Sequence, residues 1–371
     1  MDVGGRECYD TETMNAKKIY VGMSGGVDSS LSAALLKQQG HHVVGVFIKV
    51  WQADFLPCNW RNERRDAMRV AAHLNIPFKT LDLENEYKHG VVEKMIAEYR
   101  EGRTPNPDVL CNKEVKFGAF LDFAKREGAD AVATGHYAQI LPMDGVPVLA
   151  TGVDVHKDQS YFLWMLEQTE LPFIHFPIGH LEKSEVRKLA TVLGLPTAHK
   201  KDSQGLCFLG PVDMKDFLSH FVDQVPGEVR DENGEVIGSH EGAVFYTLGQ
   251  RHGFSTNKTT RNERPYFVIG KNMTENAIIV SHEIRNDFDD SSRMTKLKDF
   301  RTTLGREQFW ERYEGKHVHA RYRYRQSLRS CVLTKGESVQ VTWSETEEHI
   351  APGQSVVLYD GMYCLGGGIV I

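Results

Sequence analysis

Between an apolar run, Ile19–Gly22, and a segment of helical periodicity lies Ser24-Gly25-Gly26-Val27-Asp28-Ser29-Ser30. Two glycines let the backbone approach an anion closely, successive amides and a helix start form a nest of positive partial charge, and Ser29 and Ser30 add hydroxyl donors. Asp28 offers the hard oxygens that a Mg²⁺ bridging phosphates requires. The chemistry indicated is phosphate binding, against the plainer reading of a glycine-rich strand-to-helix turn. The Gly-Lys-Ser/Thr ending of a Walker loop is missing, so ordinary γ-phosphate transfer is not implied.

Two of the six cysteines stand in reactive settings. Cys111 follows Asn106-Pro107-Asp108, in which Asn106 reads as an N-cap and Pro107 as the first helical residue, so the helix dipole favours a thiolate there. Asp108 shares a helix face with Cys111. An ionised carboxylate so close raises a thiol's pKa, which suits Asp108 to proton transfer rather than thiolate activation. Cys207 lies in the polar, Gly-flanked stretch Lys201–Gly210, where small neighbours allow a macromolecule to approach. Singly, each cysteine also fits a structural role. Together, beside a phosphate-binding loop, they suggest redox sulfur chemistry.

Arg321-Tyr322-Arg323-Tyr324-Arg325-Gln326 interleaves cations with aromatic rings. On a strand, Arg321, Arg323 and Arg325 would share one face, suited to phosphate contact or base stacking or, more plainly, to a solvated barrel face. Cys58 and the run Arg61–Arg65 could line an entrance near the phosphate loop, but a solvated helix face is the better account of the run. Cys331 and Cys364 read as packed strand residues. The 16 histidines form no zinc-type array, so no metal site is expected in the protein itself.

Elements must hold these groups in place. The chain has 371 residues, 41% apolar, enough for two or three domains. Strand-like runs at Ile19–Gly22, Val43–Val50, Phe78–Leu83 and Ala129–Thr134 alternate with helical segments at Leu31–Leu35, Arg64–Leu74, Val91–Tyr99, Asn106–Arg126, Gln159–Leu166 and Ser184–Leu193. That pattern predicts an α/β fold with a doubly wound parallel sheet over 19–211. After Pro211 the texture turns to hairpins, with Asn233-Gly234 marking a tight turn. A small central β-rich domain is expected over 212–284, a linker near Arg285–Arg293, and a C-terminal β-barrel over 295–371. Residues 1–18 read as a loose leader with no secretory or transit character. No apolar run is long enough to span a membrane. Scattered cysteines without Cys-x-x-Cys pairs suit a reducing, cytoplasmic setting. A net charge of −6, from 44 basic and 50 acidic residues, leaves any nucleic-acid binding to local patches.

The Ser24–Ser30 loop resembles the pyrophosphate-binding loop of the ATP pyrophosphatase superfamily, whose members split ATP between the α and β phosphates. More closely, seven stretches in order are similar to the successive motifs of the tRNA-specific 2-thiouridylases: Gly22–Ser29; Asn106-Pro107-Asp108 with Cys111-Asn112; Thr134–Ala138; Lys157–Tyr161; Asp202–Gly210; Tyr246–Arg251; and Arg323–Gln326. Only Met1–Lys18, with its incidental Cys8, falls outside the resemblance.

The resemblance implies that Gly22, Met23, Ser24, Gly25, Gly26, Val27, Asp28 and Ser29 bind ATP with its Mg²⁺, with Ile48 and Gly135 at the adenosine side; the family often has Met in place of Ile48. It implies that Cys207 carries a persulfide, that Cys111 resolves it through a transient disulfide, and that Asp108 is the acid/base. Asn106, Pro107 and Asp108 would surround the target base, and His136, Lys157, Asp158, Gln159, Arg323, Tyr324 and Gln354 would contact tRNA. The implied reaction adenylates the C2 oxygen of the wobble uridine in the anticodon of Glu, Gln and Lys tRNAs and replaces it with sulfur. The donor would be a cysteine desulfurase or a persulfide relay protein. A small-molecule amidotransferase or synthetase of the same superfamily, needing no paired thiols, and a nucleotide-regulated tRNA-binding module without catalysis are the rival readings.

Overall fold

The computed structural model describes residues 16–57, 60–202, 207–208, 210, 212–257, 264–283, 293–345 and 350–371. The leader up to residue 15 with Cys8, then Cys58, Ser203–Leu206, Leu209 and most of the expected linker lie outside the described residues.

The N-terminal unit contains strands β1 (Lys18–Gly22), β2 (His42–Lys49), β3 (Phe78–Asp82), β4 (Ala131–Ala133), β5 (Ala138–Met143), β6 (Val146–Thr151) and β7 (Ile174–His175). Its helices are α1 (Val27–Gln38), α2 (Trp60–His73), α3 (84–100), α4 (107–126) and α5 (Lys183–Val192). Five strands form a parallel sheet in the order β3-β2-β1-β4-β7. Their apolar runs are buried on both faces, as helices on both sides demand: Ile19 and Val21 face one core cluster, while Tyr20, Val44 and Val46 face another. Strand order reverses between β1 and β4, and the loops leaving these two strands open the crevice in which such sheets bind ligands.

Two helices depart from regular α geometry. Lys88–Glu93 within α3 and Cys111–Ala119 within α4 are π-helical, a form frequent at functional sites. The helix expected over Gln159–Leu166 is only a 3-10 turn at Ser160–Phe162. Tyr161 and Trp164 gain burial in the core there, and the Asp158 carboxylate, rather than a helical ladder, accepts the Ser160 amide.

The central unit, expected to be β-rich, starts with a short helix, α6 (Met214–Ser219), capped by Asp213. Strands β8 (Gly227–Arg230), β9 (Val236–His240), β10 (Ser255–Thr256), β11 (Phe267–Asn272) and β12 (Ala277–Ser281) follow, in the order β10-β9-β8-β12-β11. The β8–β9 turn has Gly234 at φ 83°, the left-handed conformation that the Asn-Gly pair predicts.

The C-terminal unit runs β13 (Met294–Thr302), α7 (Arg306–Tyr313), β14 (His317–Arg321), β15 (Arg329–Thr334), β16 (Val339–Trp343), β17 (Ser355–Asp360) and β18 (Tyr363–Val370). Pairing of β13 with both β16 and β18 closes the barrel. The β5–β6 hairpin of the N-terminal unit joins the outer edge through Tyr363 and Ala150, an extension that sequence periodicity did not reveal. β14 ends at Arg321, and Arg325 sits at φ 63° in the turn that follows, so the expected strand alternation of Arg321, Arg323 and Arg325 does not occur. Arg321 is buried, whereas Arg323 and Arg325 are exposed.

Candidate active site

The loop after β1 is built as its residue types require. Gly25 has φ 75°, and a Cβ there would meet the Glu63 carbonyl oxygen at 2.4 Å. Gly26 caps α1; its carbonyl accepts the Ser29 and Ser30 hydroxyls at 3.2 and 2.7 Å, and its amide donates to Ser24 Oγ at 3.3 Å. Gly135, leaving β4, lies so close that a Cβ would stand 2.6 Å from the Ser29 amide nitrogen. Gly22 ends β1, and Met23, Val27 and Ile48 are buried in the cores packed around the carboxyl ends of β1 and β2. Amides with no side-chain bulk beside them at a helix start fit a phosphate chain.

Asp28 is already satisfied by cationic and hydroxyl donors. Lys183 Nζ, at the start of α5, lies 2.7 and 2.8 Å from its two carboxylate oxygens, and the Tyr137 hydroxyl donates to it at 2.8 Å. Lys183 also reaches Asp202 at 3.0 Å, and Asp202 pairs with Lys157 at 2.9 Å and with Arg187. Burial alone would raise the Asp202 carboxyl, but Lys157 and Lys183 overrule it and hold the group down at about 2. Burial and the Asp28 carboxylate push the Tyr137 hydroxyl well up. Lys200 braces the loop from behind, donating to the Gly25 carbonyl at 3.0 Å and pairing with Asp66 at 2.7 Å. A Mg²⁺ arriving with a nucleotide would take an Asp28 oxygen in place of the Lys183 ammonium, since both oxygens are engaged by it.

The second part of the site joins α4 to the Cys207 segment. Asn106 caps α4 through its side chain, accepting the Val109 amide, with Pro107 as the first helical residue. Cys111 is fully buried, and its thiol donates to Cys207 Sγ at 3.3 Å. The Asp108 carboxylate accepts the Cys207 amide at 2.8 Å, and the Tyr87 hydroxyl donates to the Cys207 carbonyl at 2.9 Å. Thus Asp108 and Tyr87 grip the backbone that presents Cys207.

Burial, with Cys207 alongside, pushes the Cys111 thiol well up, against the helix-dipole expectation; removing the group from water outweighs the dipole. Cys207 is lowered, first by the hydrogen bond from Cys111 and further by Lys116, with burial opposing. Asp108 is raised by burial, with the Cys207 amide and Lys116 opposing. The pair is therefore polarised, with Cys207 disposed to be the thiolate and Cys111 to keep its proton.

Lys116, Tyr87 and Lys183 escaped the sequence reading, and Tyr137 entered it only as a member of the Thr134–Ala138 motif, with no role. In an α-helix, residues five apart point in different directions, but the π-helical stretch Cys111–Ala119, with i→i+5 hydrogen bonds, brings Lys116 round to the cysteine face. Burial would lower its ammonium, but the two thiols and Asp108 raise it overall. No periodicity could disclose that.

The expected tRNA residues divide. His136 is only 6% exposed; its Nδ1 meets Thr134 Oγ1 at 2.7 Å and its Nε2 meets Lys116 at 3.4 Å. Burial, reinforced by Lys116, lowers its pKa well below the ordinary range. It stands between the phosphate loop, through Gly135, and the thiols, through Lys116, rather than on an outer surface. Asp158 is likewise interior, bonded to Arg321, Ser160 and Gly152. Lys157 and Gln159 flank it, the latter accepting the Tyr137 amide at 3.0 Å. Arg323 is exposed, and Tyr324 packs on Phe162 with ring centroids 4.7 Å apart. Gln354 donates to the Thr104 carbonyl at 3.0 Å, two residues before Asn106, and with Arg323 and Thr247–Gln250 lines a cavity of about 360 Å³.

Among the described residues no group of three or more His, Cys, Asp or Glu is placed to hold a metal ion, and no helix is long and apolar enough to cross a membrane.

Residues 17–211 match the family profile described as a tRNA methyl transferase HUP domain, 215–282 a tRNA methyl transferase PRC-barrel domain, and 293–370 an aminomethyltransferase beta-barrel domain. The chain is 44% identical over 364 residues to the tRNA-specific 2-thiouridylase MnmA of Streptococcus thermophilus strain ATCC BAA-491 / LMD-9, covering 96% of each. It is 43% identical over 359 residues to the enzyme of that name from Listeria monocytogenes serotype 4a strain HCC23, covering 95% of this chain and 94% of the relative.

Proposed function

Since the chain belongs to the family of tRNA-specific 2-thiouridylases, we propose that its two clusters divide the reaction, the phosphate loop activating the uridine and the facing thiols delivering sulfur. The protein is an ATP-dependent sulfurtransferase that converts a tRNA uridine to 2-thiouridine. The observation that carries the division of labour is the 3.3 Å approach of Cys111 to Cys207, linked through Lys116 and His136 to the loop that holds Asp28.

Gly22–Ser29 hold the phosphates of ATP, with Ile48 and Gly135 on the adenosine side. Asp28 would hold a Mg²⁺ in place of the Lys183 ammonium, and the ion would neutralise charge on the departing pyrophosphate. The uracil C2 carbonyl is a poor electrophile. Its oxygen attacks the α-phosphorus, the bond to the β-phosphate breaks, and pyrophosphate leaves with the electron pair. The terminal sulfur of a Cys207 persulfide then attacks C2. Cys111 attacks the Cys207 sulfur, the S–S bond breaks toward the delivered sulfur, and AMP leaves from C2. The Cys111–Cys207 disulfide must be reduced before another turnover, which suits a cytoplasmic setting. Asp108, raised by burial, takes and returns protons beside the pair.

The base must leave its stack to reach this interior. Asn106–Asp108 surround it, and Arg323 and Tyr324 on the exposed turn after β14 contact the anticodon arm, with Gln354 holding the segment ahead of Asn106. Lys157 and Gln159 border the same entrance, and His136 meets only a base that has entered. The proposed acceptor is the wobble uridine of Glu, Gln and Lys tRNAs, the donor a cysteine desulfurase or persulfide relay protein. The three functional units are 19–211, 212–284 and 295–371.

Reconstitution with ATP, Mg²⁺, unmodified tRNA and a persulfide source, followed by mass spectrometry of digested nucleosides, tests this reading. An oxygen-to-sulfur exchange on uridine that needs ATP and is lost in Cys207→Ser is expected. AMP without thionucleoside would leave only the activating half standing; unchanged turnover in Cys207→Ser would refute the sulfur route.

A further inference from the structure

Arg321 closes β14 and is 8% exposed; Asp158 is 4% exposed. The guanidinium Nη2 lies 2.6 Å from Asp158 Oδ2 and donates to the Tyr359 hydroxyl at 2.7 Å, while Nε donates to the same hydroxyl at 3.1 Å. The other Asp158 oxygen accepts the Gly152 and Ser160 amides at 3.1 and 3.0 Å, and the Ser160 hydroxyl donates to Oδ2 at 3.0 Å. Burying two charges costs about as much as their attraction returns, so such a pair is a weak source of stability and a strong source of fixed geometry.

What it fixes lies on both sides. On the N-terminal side, Lys157 holds Asp202 at 2.9 Å, five residues ahead of Cys207, and Gln159 accepts the amide of Tyr137, whose hydroxyl donates to Asp28. On the barrel side, Arg321 leads within two residues to Arg323-Tyr324, and the Tyr161 hydroxyl donates to the carbonyls of Tyr322 and Ser355 at 3.0 and 3.2 Å. One buried ion pair thus joins the barrel turn to the residues that hold the phosphate loop and the start of the Cys207 segment.

We propose that Arg321 and Asp158 form a positioning pair that sets the tRNA-facing turn of the barrel in register with both the phosphate loop and the Cys207 segment, so that uridine activation and sulfur delivery occur on the same base. The inference rests on the reading above, and it makes Asp158 a positioning residue rather than a tRNA contact.

The test uses full-length Arg321→Met, Arg321→Lys and the double variant Arg321→Met/Asp158→Leu, with persulfide-loaded protein. Thiolation at saturating tRNA, the ratio of AMP released to thiouridine formed, tRNA affinity and melting temperature are measured. Misregister predicts that Arg321→Met slows thiolation by about 100-fold, raises the AMP-to-thiouridine ratio and leaves tRNA affinity essentially unchanged, while Arg321→Lys keeps the ratio near wild type. The double variant, which removes both buried charges, should recover melting temperature without recovering the ratio, and it carries the test if the single variant fails to fold. Recovery of the ratio with the melting temperature would overturn the proposal, as would weakened tRNA binding with an unchanged saturated rate. Wild-type protein forming neither AMP nor thiouridine would instead refute the parent reading.

Discussion

The thiol of Cys111 donates a hydrogen bond to Cys207 Sγ across 3.3 Å, from a residue 96 positions away in the chain. Cys111 is the fully buried partner and is pushed up; Cys207, half-buried and near Lys116, is pulled down. In the proposed reaction this asymmetry suits the lower thiol to accept sulfur from outside and the interior thiol to close the cycle.

Iodoacetamide labelling across pH 6 to 9, with peptide mass mapping, should therefore show Cys207 reacting faster than Cys111 at every pH. Cys111→Ala removes the donor that faces Cys207, and Lys116→Met removes a charge; both should move Cys207 labelling to higher pH. Labelling of Cys111 ahead of Cys207 would contradict the assignment.

Asp28→Asn removes the carboxylate charge and with it the ion pair to Lys183. Loss of one preorganised charge at a phosphoryl-transfer site typically costs about 100-fold in rate. AMP formation should fall by that order, whereas persulfide loading of Cys207, followed by mass spectrometry of the intact protein, should continue. Equal loss of both would place Asp28 in the fold rather than in the activation step.

Gly135→Ala adds a Cβ that would stand 2.6 Å from the Ser29 amide nitrogen and 2.8 Å from the Asp28 carbonyl carbon, both backbone atoms. Neither can swing aside, so the two loops must part. A destabilisation of about 1–3 kcal/mol is expected in denaturant unfolding, together with weaker ATP binding by calorimetry. Wild-type values in both would show that the loops separate freely.

Asp202 is held down at about 2 by Lys157 and Lys183 against an ordinary value of 3.8. A carboxyl lower in the folded than in the unfolded chain stabilises the fold above the unfolded value, and that contribution disappears as pH falls through the folded one. Wild-type protein should therefore exceed Asp202→Asn in stability at pH 6, with the margin closing between about pH 4 and pH 2 in acid unfolding. A margin that stays constant over that window would mean that the ion pairs add nothing.

Local pattern was sufficient for much of this protein. The Ser24–Ser30 loop after an apolar strand, the Asn106 cap with Pro107, the Asn233-Gly234 turn and the alternation of strands and helices are contiguous signals. They arise from backbone sterics and short-range hydrogen bonding, which nearby residues control. The candidate thiols and Asp108 were legible for the same reason. Contacts between distant segments were not. Lys183 meets Asp28 across 155 positions, and Arg321 meets Asp158 across 163. Nothing in their local sequence separates them from solvated charges, and only packing of the barrel and helices against the sheet buries them beside a partner. Lys116 reached the cysteines through a widened helical turn, and the alternation expected at Arg321–Arg325 ended because burial of Arg321 against Asp158 and Tyr359 was followed by a turn. Side-chain type and spacing decided which chemistry was available; desolvation and long-range pairing decided which thiol is lowered, which carboxyl is raised and which charges never meet water.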